Sequence, residues 1–203
     1  MAIVKNGDLS GTIGNAIHYT HYDKKCVRSS PLKVKNPKTP EQQKQRSKLK
    51  SATAFVSRNL NTLIRPYWNP EGRRQHMSGQ NLFCKLNVHA FDENGEPVFS
   101  LLKPITGNLG GFEGLEVKFL SEEGIIEISW INNARDHKTS GNNALKIFGF
   151  GPDDRVREIP CDSKRKDEFC STQTDYPMLF LFFWNENLEI ASEHEWVKRE
   201  NGE

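Results

Sequence analysis

Apolar positions recur with two different periods along this chain, and the change of period divides it. Between residues 40 and 65 the spacing is helical, and from Leu115 onward it is two, the period of a strand with one buried face. The helical stretch opens on Thr39-Pro40-Glu41-Gln42: a hydroxyl able to cap, a proline at the first helical position, and a glutamine three residues after the cap. The spacing predicts a helix to about Arg65, where Pro66 stops it. At about 100° per residue, Leu49, Ala52, Val56, Leu60 and Leu63 share an arc of about 80°. Lys44, Lys50, Arg58 and Arg65 lie opposite, and Arg46 and Lys48 flank the arc. A shorter helix follows, capped by Ser78 and carrying Leu82, Leu86 and Ala90, and the turn Asp92-Glu-Asn-Gly95 ends it.

Ahead of the long helix, residues 15–22 set Ile17, Tyr19 and His21 against Ala16, His18, Thr20 and Tyr22. A turn at Asp23-Lys24 returns the chain through Lys25 to Ser29, giving a β-hairpin. Residues 31–40 (PLKVKNPKTP) carry three prolines, which withhold ladder donors and bias their neighbours away from helix; an extended strap is expected.

Beyond the helices, residues 93–112 have two prolines, four glycines and no period. Strands then follow at short intervals. Leu115, Val117 and Phe119 alternate with polar neighbours, Glu122-Glu-Gly124 turns, and Ile126, Ile128 and Trp130 continue at period two. Residues 144–150, 156–159 and the continuous apolar run Met178 to Trp184 read as further strands, and residues 191–198 close the sheet. The expected fold class is therefore α+β: an N-terminal β-hairpin and long helix, then an immunoglobulin- or fibronectin-like β-sandwich. The expected division is residues 1–92 as hairpin, strap and helices, 93–108 as linker, and 109–203 as an acidic sandwich.

Net charge changes this picture because a net of +2 conceals an asymmetry. Residues 1–75 hold 15 lysines and arginines against 4 acids, while residues 76–203 hold 13 against 22. Two parts so polarised have different electrostatic partners or partner one another. No apolar core follows Lys5 in the opening segment, so no secretory signal is expected, and no apolar run is long enough for a membrane span. The expected location is cytoplasmic, or a particle assembled in the cytoplasm.

Motifs that would carry chemistry are weak. Cys26, Cys84, Cys161 and Cys170 match no zinc spacing. A hairpin would bring Cys161 and Cys170 together, but a reducing compartment favours free thiols. His18 and His21 are three apart, so on one strand they face opposite sides and cannot chelate together. His76, His89, His137 and His194 are scattered, without a nucleophile pattern. The acidic pairs Glu122-Glu123, Asp153-Asp154 and Asp167-Glu168 fall in predicted turns, where carboxylates are usually solvated. The glycines at 107, 110 and 111 lack the lysine of a phosphate loop and read as flexible linker. No catalytic residue, cofactor site or metal site is predicted.

Two groups of residues carry a resemblance. The first is Gly11-x-x-Gly14, Arg28-x-x-Pro31 and Asn36-Pro37-x-Thr39-x-x-Gln42-x-x-Gln45-Arg46; the second is Ser78-x-x-Asn81-x-Phe83 with Asn87. Together they resemble a domain-of-unknown-function family of small Bacteroidota proteins that pair this signature with a β-sandwich. The segment from Ile128 to Trp130, with the later Phe-rich strand, is similar to a fibronectin type III core in which a tryptophan fills the centre. The resemblance implies a fold and a bacterial source, and brings no catalytic residues. The aromatic run from His18 to Tyr22 departs from the family's glycine-rich opening.

The remaining feature is regional. Lys24, Lys25, Arg28, Lys33, Lys35 and Lys38 in the hairpin and strap join Lys44, Arg46, Lys48, Lys50 and Arg58 on the helix in one basic segment. The expectation is a non-enzymatic structural or interaction protein whose basic segment docks into a larger assembly, such as a phage-like or mobile-element particle. A protein partner or self-association is expected. The alternative is nucleic-acid binding through the same segment, with Tyr19 and Tyr22 available for stacking.

Overall fold

The first 43 residues hold four short strands: β1 (Ile3–Lys5), β2 (Asp8–Ile13), β3 (Ala16–His21) and β4 (Lys24–Ser29). They pair in sequence order as an antiparallel meander in a computed structural model that describes residues 3–5, 8–21, 24–30, 36–120 and 124–199. The expected hairpin is β3–β4, with Tyr19 opposite Cys26 and His21 opposite Lys24. Its turn falls partly outside the described residues, as does the strap at 31–35; residues 36–39 are neither helix nor strand. The two preceding strands were not expected, because Asp8–Ile13 contains only two large apolar residues and a glycine. No described side chain in this sheet is buried.

Contacts divide the chain into residues 1–43 and 44–203, so the division does not fall in the expected linker at 93–108. Leu102 and Ile105, within that segment, are each only 2% exposed and belong to the same apolar core as the helices. Linker composition was misleading because a segment can lack period and still cover a core.

Helix α1 (Pro40–Arg58) starts where the capping residues predict, with the Gln42 N–H donating to the Thr39 hydroxyl at 3.4 Å. Ala52, Phe55 and Val56 form its buried face, whereas Leu49 is 49% exposed. The helix ends at Arg58 rather than Arg65, and a π-helical segment (Leu60–Trp68) carries Pro66 inside it. Asn59 is the pivot: its carbonyl accepts from both Leu63 at 3.0 Å and Ile64 at 3.1 Å, widening the turn. A wider turn relieves the clash with a preceding carbonyl by which proline ends an α-helix. Helices α2 (Asn69–Arg74) and α3 (Gly79–Asn87) follow, and the Ser78 hydroxyl accepts from the Asn81 N–H at 3.2 Å. The expected turn also forms, with Asp92 Oδ1 accepting from the amides of Asn94, Gly95 and Glu96.

The remaining strands are β5 (Glu116–Leu120), β6 (Ile125–Ser129), β7 (Ala144–Phe150), β8 (Val156–Ile159), β9 (Phe169–Gln173), β10 (Met178–Asn185), β11 (Ile190–Ala191) and β12 (Glu195–Lys198). One antiparallel sheet has the order β5-β6-β9; the other has β11-β10-β7-β8, with β12 also paired to β10. Strand β9 was unread because its one buried residue, Cys170, gives no apolar alternation.

Strand β10 explains its own composition. Phe180, Phe182 and Trp184 point to a core shared with the helices, while Leu179, Leu181 and Phe183 point to a core shared with β6. A strand buried on both faces reads as a continuous apolar run rather than an alternation. On the helix side, Phe148 stacks on Phe180 at 5.2 Å, and Tyr67 meets Phe182 edge-on at 5.2 Å. On the other side, Trp130 packs edge-on against Phe183 at 5.7 Å and donates to the Arg165 carbonyl at 2.7 Å. Each such side chain contributes roughly 1.5–3 kcal/mol when fully buried. The molecule is α+β, and residues 44–203 form three layers: helices, a five-stranded sheet and a three-stranded sheet.

Candidate functional site

Among the described residues, strand β4 pairs only with β3 and so forms an edge. Alternation along it sets Lys24, Cys26 and Arg28 on one face, and Lys25, Val27 and Ser29 on the other. Lys24, Lys25 and Arg28 are all exposed. The Arg28 guanidinium lies over the Tyr19 ring at 5.9 Å, within reach of a weak cation–π attraction. Large apolar side chains stand exposed beside these cations: Ile13 at 49%, Tyr19 at 40% and Val27 at 61%. His18 and His21 sit opposite Val27 and Lys24 in the register, so they occupy opposite faces. Lys33 and Lys35 lie outside the described residues; Lys38 is exposed, and its carbonyl accepts from Gln43 Nε2 at 3.3 Å.

The helical cations belong to residues 44–203 and are partly neutralised there. Lys44 pairs with Glu93 at 2.8 Å, and Arg58 with Asp154 at 2.8 Å. Lys44 also holds the Glu93 carboxyl below its usual range. Exposed pairs of this kind contribute little to stability, but they remove two charges from the expected basic stripe. Arg46 and Lys50, with Leu49, Thr53, Ala54 and Ser57, line a shallow groove along the outer side of α1, and Lys48 is half-buried. The basic residues thus fall into two groups, one on each unit.

A polar cleft of about 540 Å³ lies among His137, Ser140, Asn142, Lys164, Glu186 and Asn187. Two buried asparagines build its wall. Asn143 Nδ2 donates to the Lys138 carbonyl at 2.9 Å, and Asn185 Nδ2 to the same carbonyl at 3.0 Å. Their amides are committed to holding the 137–140 loop in place. Among the described residues no three His, Cys, Asp or Glu side chains converge to hold a metal ion. Burial, helped by Lys103, pulls the His194 imidazole down from its ordinary 6.5 to about 4, which leaves it neutral near pH 7.

Sequence reasoning missed Arg165, whose side chain is wholly buried. Its guanidinium donates to the carbonyls of Gly110 at 2.6 Å and Gly111 at 3.1 Å, and to Asn133 Oδ1. It also lies 3.9 Å over the Phe183 ring. Burial lowers its pKa to about 10, still well above neutrality. The glycines at 110 and 111 are therefore the seat of a buried cation rather than flexible linker. Gly107 likewise lies against backbone, since a Cβ there would sit 1.9 Å from the Ala191 carbonyl oxygen. Nothing in the run Ser163-Lys-Arg-Lys-Asp-Glu168 marks the central arginine as buried.

No family model, curated relative or solved structure matches this chain. No helix among the described residues is long and apolar enough to cross a membrane.

Proposed function

We propose that this is a non-enzymatic structural protein that assembles in the cytoplasm, with the basic N-terminal sheet docking on the acidic surface of a second copy. The single observation that carries the reading is that the four-stranded sheet buries none of its described side chains, while exposing Ile13 and Val27 with Lys25 on one face and Tyr19 with Lys24 and Arg28 on the other. A small sheet needs an apolar face covered to be stable, and a basic rim directs it to an acidic surface. Charge supports a second copy as the occupant: residues 76–203 carry 22 acids against 13 bases, with Asp162, Asp175, Glu186 and Glu193 exposed.

The C-terminal strands are read as a fibronectin-like sandwich presenting its loops. Strand order supports this. Naming β5 to β10 and β12 as A, B, C, C′, E, F and G gives A-B-E against C′-C-F-G, with Trp130 just after strand B in the core. The helices then cover the outer face of the C′-C-F-G sheet, which a free-standing sandwich leaves to solvent.

Light scattering on the purified chain tests the docking. The mass should rise with concentration at low salt and return toward monomer at about 0.5 M salt, where screening is stronger. Reversing Lys24, Lys25 and Arg28 to glutamate should abolish the rise. A monomer mass under every condition contradicts self-docking. Salt-sensitive gel-shift binding of DNA or RNA, lost in the same variant, would then establish the nucleic-acid reading that the Arg28–Tyr19 contact favours.

A further inference from the structure

Two cysteines stand at the junction of the two C-terminal sheets. Cys170 lies on β9 opposite Ile128, in the three-stranded sheet, and is 4% exposed. Cys161 follows the end of β8, in the five-stranded sheet, and is half-buried. Both are free thiols, and their Sγ atoms are 2.8 Å apart, compared with about 2.05 Å in a formed disulfide. The backbone holds them there from both sides. Leu145 N–H donates to the Ser163 carbonyl at 2.9 Å, Arg165 N–H to the Asn143 carbonyl at 2.9 Å, and the Thr172 hydroxyl to the Pro160 carbonyl at 3.1 Å. Bridging needs a rotation of side chains, with the strands already in place.

We infer that Cys161 and Cys170 form a redox-active dithiol, Cys161 attacking and Cys170 resolving, that closes to a disulfide by exchange with a low-molecular-weight disulfide such as oxidised glutathione. The order follows from access, because Cys161 is half-buried whereas Cys170 is only 4% exposed. Its ionisation agrees: hydrogen bonds from Cys170 and from Ser163 lower the Cys161 thiol, while the same pairing together with burial raises Cys170. The Cys161 thiolate attacks one glutathione sulfur, forming a mixed disulfide and expelling glutathione thiolate, which takes up the proton lost by Cys161. Cys170 then gives up its proton, attacks the Cys161 sulfur and expels the second glutathione. Two protein thiols are oxidised, and one glutathione disulfide is reduced to two thiols. The bridge ties the sheets together at the base of the loop that carries Arg165.

Intact-mass measurement of the full chain, equilibrated with oxidised and then reduced glutathione, tests this. The oxidised protein should lose two hydrogens, and peptide mapping should place one bridge between Cys161 and Cys170, with Cys26 and Cys84 still alkylatable. C170S should accumulate a single glutathionyl group at Cys161, and C161S should leave Cys170 unmodified. An oxidised wild-type chain that keeps four alkylatable thiols overturns the proposal, as does a persistent mixed disulfide on Cys161. Equal modification of the two variants would overturn the assigned order.

Discussion

The N-terminal sheet and the five-stranded sheet are built alike, as antiparallel strands in tight register, yet they sit at opposite ends of the range of burial. In β3 and β4 every described side chain touches solvent, whereas β10 is buried from Leu179 through Asn185. Backbone pairing is the same in both; what differs is cover. Helices close one face of β10 and the three-stranded sheet closes the other, so each residue there adds burial to its ladder bond. The N-terminal sheet has its ladder bonds without a buried face among its described side chains, which is why Ile13, Tyr19 and Val27 remain exposed.

The contrast breaks most readily at Phe182, which stacks with Phe148 at 5.8 Å and meets Tyr67. Phe182→Ala should cost about 3–5 kcal/mol in urea unfolding; a loss below about 1 kcal/mol would mean the helices do not cover that face. Asn59→Ala should come next, at about 2–3 kcal/mol. It removes donors to the Phe55 and Asp154 carbonyls and leaves the Val156 N–H, now bonded at 2.7 Å, without its acceptor.

The covered region should also respond to acid through His194, packed edge-on to Trp196 at 5.8 Å. Its folded pKa of about 4 lies below the ordinary 6.5, so between those values the unfolded chain binds the extra proton. Its contribution is fully present above about pH 6.5 and is lost as pH falls toward 4, by about 1–2 kcal/mol at pH 5. Comparing the pH profiles of wild type and His194→Gln isolates that part; parallel profiles would contradict it. Smallest of all should be Val27→Thr, within about 0.5 kcal/mol by the same urea measurement, because the valine is 61% exposed.

Much of the C-terminal strand pattern was legible because alternation survives wherever one face is wet: β5 and β6 alternate, with Val117, Phe119, Ile126 and Ile128 on the covered face. Parity was harder. Trp130 packs between the two C-terminal sheets against Phe183 of the Phe-rich strand, while Phe180 and Phe182 of that strand face the helices. A strand apolar on both faces gives no sign of which residue points where. Pro66 misled because proline forbids an α-helical turn without forbidding a π-helical one. The basic segment was legible as composition, but its pairings were not: Lys44 with Glu93 and Arg58 with Asp154 join residues distant in sequence. Arg165 left no pattern, since its burial depends on where loops return, whereas the spacing of Cys161 and Cys170 already allowed their meeting across a hairpin.

The N-terminal sheet is thus paired without a buried face among its described side chains, while the five-stranded sheet is covered on both faces. Amide hydrogen exchange on the intact chain, kept monomeric at low concentration and high salt, tests it directly. Amides paired in β3–β4 should exchange through local opening, orders of magnitude faster than those of β7 and β10, which should require global unfolding. Equal protection in the two sheets would contradict the account.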